Sequence, residues 1–147
     1  MHVLVTGGAG FIGGHLAEAF LNDGHDVTTL DILEPFYDTG LKRHNIDAAR
    51  SAAESDDRYE FIEGSTTDTD LVDNIMEDID VVYHQAAQAG VRASVEEPTK
   101  VTKYNINGSQ TILEAARKHD VDRVVNASSS SVYGKPQYLP YDQDHPN

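Results

Sequence analysis

The chain has 147 residues, enough for one domain with a buried core, and carries 11 basic against 25 acidic side chains, a formal charge of −14. It holds no cysteine, which excludes disulfides, thiolate catalysis and cysteine-bound metal clusters, and no apolar run approaches the ~20 residues of a membrane helix. The acids, 16 Asp and 9 Glu, are dispersed, which disfavours nucleic acid and membrane surfaces as partners and suggests a solvated surface adapted to high salt. The start, Met1 to Gly7, lacks the basic segment and apolar stretch of a signal peptide, so a cytoplasmic location is expected.

In chain order, His2 to Thr6 reads as a strand and Gly10 to Leu21 as a helix, with Phe11, Ile12, Leu16, Ala19 and Phe20 at helical spacing. Asp26 to Leu30 is the second strand. A polar loop containing Pro35 and Gly40 follows, then a weak helix from Leu41 to Glu54. Arg58 to Glu63 is strand three, a helix spans Asp68 to Glu77, and Ile79 to Tyr83 is strand four. After a loop, Pro98 suits the first turn of a long helix ending near His119, with a buried stripe of Val101, Tyr104, Gly108, Ile112 and Ala115. Val121 to Ala127 is strand five, and loop continues to Asn147. Strands alternating with helices argue for an α/β fold, a doubly wound parallel sheet with helices on both faces.

Between the first strand and helix stands Val5-Thr6-Gly7-Gly8-Ala9-Gly10-Phe11-Ile12-Gly13. Gly7 permits the tight turn, Gly10 lets a pyrophosphate approach the backbone, and Gly13 lets the helix pack closely on the strand. The helix N-terminus supplies N–H groups and a positive dipole for the phosphates. Strand two ends in Asp31, where a carboxylate accepts hydrogen bonds from the adenosine ribose and repels a 2′-phosphate. Lys42 and Arg43 come well after the strand end. The pattern therefore points to a Rossmann-type dinucleotide site for NAD rather than NADP.

The spacing of Gly7, Gly10 and Gly13 is that of the short-chain dehydrogenase/reductase superfamily. Four further blocks carry a closer likeness: Phe36 to Arg43, Tyr83 to Arg92, Tyr104 to Gly108, and Ala127 to Gly134. Together they make the chain resemble the extended branch, the NAD-dependent epimerases and dehydratases of nucleotide-sugars, and most of all the UDP-glucuronate 4-epimerases. The resemblance runs from end to end.

What the resemblance implies is as follows. Gly7, Gly10, Phe11, Ile12, Gly13, Asp31, Thr39, Gly40, Ser65, Thr66, Ala86, Ala87, Gln88 and Asn105 would face NAD, with small side chains after strand four leaving room for the cofactor. Ser129 matches the catalytic Ser/Thr by its distance from Val132-Tyr133-Gly134, while Arg92 and Ser130 would face the nucleotide-sugar. The family often has Asp after the glycine ending strand three; here Ser65 takes that place and Asp68 matches the later acid. The family's Tyr-x-x-x-Lys is absent from these residues: four positions after the seven tyrosines stand Leu41, Glu63, Ala87, Gly108, Gln137, Asp142 and His145. The seven histidines show no metal-ligand spacing, so no metal is expected.

The expected function is thus the N-terminal, NAD-binding part of a nucleotide-sugar epimerase. Such an enzyme acts by transient oxidation at sugar C4, on a substrate of the UDP-glucuronate or UDP-glucose type. The Tyr-x-x-x-Lys segment and a substrate domain would lie beyond this C-terminally truncated fold, and the full-length protein would be a homodimer. Two alternatives stay open: a 4,6-dehydratase or decarboxylase of the same class, and a noncatalytic NAD-binding sensor or partner-binding module.

Overall fold

The computed structural model describes residues 1–146, so Asn147, the end of the expected terminal loop, lies outside the described residues. Strands β1 (His2–Thr6), β2 (Asp26–Asp31), β3 (Tyr59–Glu63), β4 (Val81–His84) and β5 (Arg123–Asn126) form one sheet in the order β3-β2-β1-β4-β5. Every pairing is parallel. Parallel neighbours need crossover connections, which here are helical. Helices α1 (Phe11–Asn22) and α2 (Thr39–Ala52) supply one core, α3 (Thr69–Met76) and α6 (Gly108–Lys118) the other. This is the doubly wound, Rossmann-type sheet, and its strand order reverses between β1 and β4.

Strand β1 shows why the two cores separate. Successive side chains point to opposite faces, so Val3 and Val5 join Ala17, Leu21 and Ile46, while Leu4 joins Val72, Met76 and Ile112. All three β1 residues are fully buried, as a central parallel strand covered on both faces requires.

The structure corrects several sequence-based boundaries. In α1 the buried face is Gly13, Gly14, Ala17 and Leu21, while Phe11, Ile12 and Ala19 are exposed. Apolar spacing misphases this helix because glycines make its contacts: a Cβ on Gly14 would meet Asn45 of α2 at 2.8 Å. Helix α2 begins at Thr39, not Leu41, because the Asp38 carboxylate accepts from Gly40 N–H at 2.8 Å and caps it. The expected loop after β4 contains a short helix, α4 (Val91–Glu96). The long helix is not uniform: α5 (Pro98–Val101) runs through a π-helical turn (Thr102–Asn107) into α6. Its stripe is otherwise as expected, with Gly108, Ile112 and Ala115 buried. A 3₁₀ turn, Ser130–Tyr133, interrupts the expected terminal loop.

Ile112 is fully buried between α3 and the sheet. Ile112→Ala is therefore expected to cost about 2–5 kcal/mol in urea unfolding; a loss below 1 kcal/mol would show that this face of the sheet is loosely packed.

Candidate functional site

The carboxyl ends of β1, β2 and β4 converge on a cavity of about 270 Å³. Its floor is the turn after β1. Gly7 sits at φ +66°, and its N–H donates to the Leu30 carbonyl at 2.8 Å, pinning the turn to β2. A Cβ on Gly7 would lie 2.9 Å from the Ala86 nitrogen, and one on Gly13 would overlap the Gly7 carbonyl oxygen. The turn can meet the start of α1 and the segment after β4 this closely only because positions 7 and 13 are glycine. Gly10 caps α1 without a side-chain hydrogen bond, and no acid stands in that first turn. The N-terminus of α1 is thus open to an anion.

One wall comes from the end of β2. Asp31 is buried, and its Oδ1 accepts from Leu33 N–H at 2.8 Å and from Lys42 Nζ at 3.2 Å. Its Oδ2 accepts a longer bond, 3.3 Å, from Ala9 N–H, and retains room for another donor. The Lys42 side chain is only 8% exposed, so this is a buried ion pair beside the cavity. Sequence distance from the strand end had set Lys42 aside. The early start of α2 overturns that, since it brings the helix's first turn back over the strand, and the Asp38 cap was the signal for it. Glu34, Phe36 and Tyr37 continue this wall. Lys100 of α5 donates to Glu34 at 2.8 Å, a bond that holds the ammonium above its usual range and ties the wall to the opposite side.

That opposite side is Gln85 to Ala89 with Tyr104. The Asn105 amide clasps the segment: its Oδ1 accepts from Gln88 N–H at 2.7 Å and its Nδ2 donates to Gln88 C=O at 3.1 Å. Asn105 does this from within the π-helical turn.

Of the residues singled out from sequence, Gly7, Gly10, Asp31, Thr66, Ala86, Ala87 and Gln88 line the cavity together. Gly13 and Asn105 stand behind it as supports. Thr39 and Gly40 form the first turn of α2. The Ser65 hydroxyl is engaged by Thr67, accepting from its N–H at 3.1 Å, and Asp68 caps α3. Phe11 and Ile12 project outward. Arg92 is 90% exposed and paired with Glu96 at 2.8 Å, outside the cavity-lining set. Ser129 and Ser130 follow β5, exposed, at the same carboxyl edge of the sheet. Sequence reasoning missed Lys42, Glu34 and Gln85 as wall residues.

Residues 3–147 match the NAD dependent epimerase/dehydratase family. The chain belongs to that family. Within it, the chain is 38% identical over 148 residues to the UDP-glucose 4-epimerase of Mycolicibacterium smegmatis, covering 99% of this chain and 44% of that protein. Among solved structures, it resembles the UDP-glucuronic acid 4-epimerase of Bacillus cereus, in complex with UDP-glucuronic acid and NAD. The TM-score there is 0.82 and the identity 36%, over 98% of this chain and 45% of that one. It also resembles the UDP-glucose-4-epimerase of Stenotrophomonas maltophila with bound NAD and formylated UDP-arabinopyranose. For that structure the TM-score is 0.84 and the identity 30%, over 99% of this chain and 42% of that one. The chain spans less than half the length of these relatives.

Asp31→Ala would strand Lys42 as an uncompensated buried charge, at an expected cost of about 3–5 kcal/mol in urea unfolding. The double change Asp31→Asn with Lys42→Met, which removes both charges and keeps an acceptor for the Leu33 N–H, should recover most of that. If it recovers nothing, the pair is not the burden the geometry implies.

Proposed function

We propose that this chain is the NAD-binding portion of a UDP-sugar 4-epimerase working by transient oxidation at C4. The observation that carries the reading is the cavity at the sheet's switch point. A helix N-terminus with no side-chain cap, a carboxylate whose Oδ2 has room for another donor and a wall of small residues line it together. They fit a dinucleotide: the α1 terminus suits the pyrophosphate, Asp31 Oδ2 the adenosine ribose hydroxyls, and Ala86 to Ala89 a flat ring system. Lys42 holds the carboxylate in place from its other oxygen. NAD, when bound, supplies the acceptor and later the donor of the C4 hydride.

Ser129 contributes the reacting-oxygen contact in this reading. Its Oγ accepts from Ser131 N–H at 3.1 Å as the cap of the 3₁₀ turn, which leaves its own proton to donate. Donated to the sugar O4, that proton orients the oxygen and stabilises the charge it gains as its hydrogen leaves. The base that takes the O4 proton would be the tyrosine of Tyr-x-x-x-Lys, which the 147 residues do not contain. Residues 1–147 alone would then bind NAD and turn over no sugar. The relatives support a UDP-sugar, with UDP-glucose and UDP-glucuronate as the two substrates to compare.

The test is to incubate the full-length product of the reading frame with NAD and each UDP-sugar in molar KCl and follow the anomeric protons by NMR. Conversion of one sugar to its C4 epimer is expected, with kcat about 100-fold lower in Ser129→Ala. NAD binding with no conversion of either sugar would contradict the epimerase reading and favour the noncatalytic module.

A further inference from the structure

His84, the last residue of β4, is buried and reaches in two directions. Its Nδ1 lies 2.7 Å from Thr6 Oγ1 at the end of β1, and its Nε2 lies 2.9 Å from Ser109 Oγ in α6. The neighbouring bonds decide which nitrogen carries the proton. Ser109 Oγ donates its only hydrogen to the Asn105 carbonyl at 2.7 Å, so toward His84 it can only accept. Nε2 is therefore protonated, and in the neutral ring Nδ1 accepts from Thr6. Thr6 Oγ1 in turn accepts from Ala86 N–H at 3.1 Å. Burial holds the imidazole below its usual range, in keeping with a neutral ring.

One chain of bonds with a fixed direction thus runs from Ala86 N–H through Thr6, His84 and Ser109 to the carbonyl of Asn105. It meets the cavity wall at both ends. Thr6 fixes the wall at Ala86, and Asn105, whose main chain is the terminus of the relay, fixes it at Gln88. We propose that His84 is a positioning residue for the cofactor. By clamping the end of β1 and the π-helical turn on its two nitrogens, it sets where the Gln85–Ala89 wall stands relative to the glycine turn. The proposal rests on the reading of the cavity as the NAD site.

The relay is tested in the full-length product by NAD release, followed in stopped flow with NADH fluorescence, beside urea unfolding without cofactor. His84→Asn retains an acceptor toward Thr6 but falls short of Ser109; Ser109→Ala removes the same link from the other side. Each is expected to speed NAD release about fivefold to tenfold, and the double variant no more than either alone. Should His84→Asn fail to fold, Ser109→Ala reads the link by itself. In the ¹⁵N spectrum of the wild type, the ring is expected as the neutral Nε2–H tautomer. Asp31→Asn serves as the control for the site. If it weakens NAD about tenfold while His84→Asn and Ser109→Ala leave release unchanged, the positioning role is overturned and the site stands. If Asp31→Asn also leaves NAD affinity unchanged, the site reading itself falls. Additive effects of His84→Asn and Ser109→Ala, or a ring protonated on Nδ1, would likewise overturn the relay.

Discussion

Three backbone segments meet at the carboxyl end of β1 more closely than side chains would allow. The Gly7 turn lies under the first turn of α1 at Gly13 and against Ala86 after β4. The cavity exists because these segments touch through backbone alone: the turn stays thin, the helix points its N-terminus inward, and the wall after β4 stands close. A single methyl at Gly13 would lift α1 off the turn and turn its open N–H groups away from the cavity. The sheet supplies the other half of the constraint. With β1 central and the strand order reversing beside it, loops on either side diverge and leave a crevice there.

Around this contact the polar groups are placed in opposed pairs. Asp31 and Lys42 share a buried ion pair whose desolvation is costly, and such a pair is poor evidence for stability alone. Its geometry gives a different return: the carboxylate is held by three donors and presents its less engaged oxygen to the cavity. On the facing wall, the Asn105 amide satisfies both the N–H and the C=O of Gln88, which pairs the backbone of a segment without regular structure at that residue. The Lys100–Glu34 bond joins the two walls across the mouth.

Much of this was legible in the sequence, and the parts that were not share a cause. Strand positions and the glycine turn follow from local pattern, because a central parallel strand is apolar throughout and the turn needs glycine. Asp31 was legible because a strand end fixes where its side chain goes. Lys42 was not, because its place depends on whether α2 starts at Thr39 or Leu41, and one capping carboxylate decides that. Phe11 and Ile12 misled for the opposite reason: apolar residues mark a buried face only where the neighbour leaves room, and the first turn of α1 meets the Gly7 turn and Asn45 too closely for anything larger than glycine at positions 13 and 14. The π-helical turn has no period-based signature, since a single wide turn barely changes the spacing of Tyr104, Gly108 and Ile112.

The central claim is that the crevice between the Gly7 turn, Asp31 and the Gln85–Ala89 wall holds NAD. The most direct measurement is to titrate the ¹⁵N-labelled chain with NAD and map the amide shifts. The expected result is saturable movement centred on Gly7, Gly10, Leu33 and Ala86 to Ala89, with NADP producing the same pattern only at higher concentration. Shifts confined to residues outside that crevice, or no saturable shift in a folded chain, would contradict it.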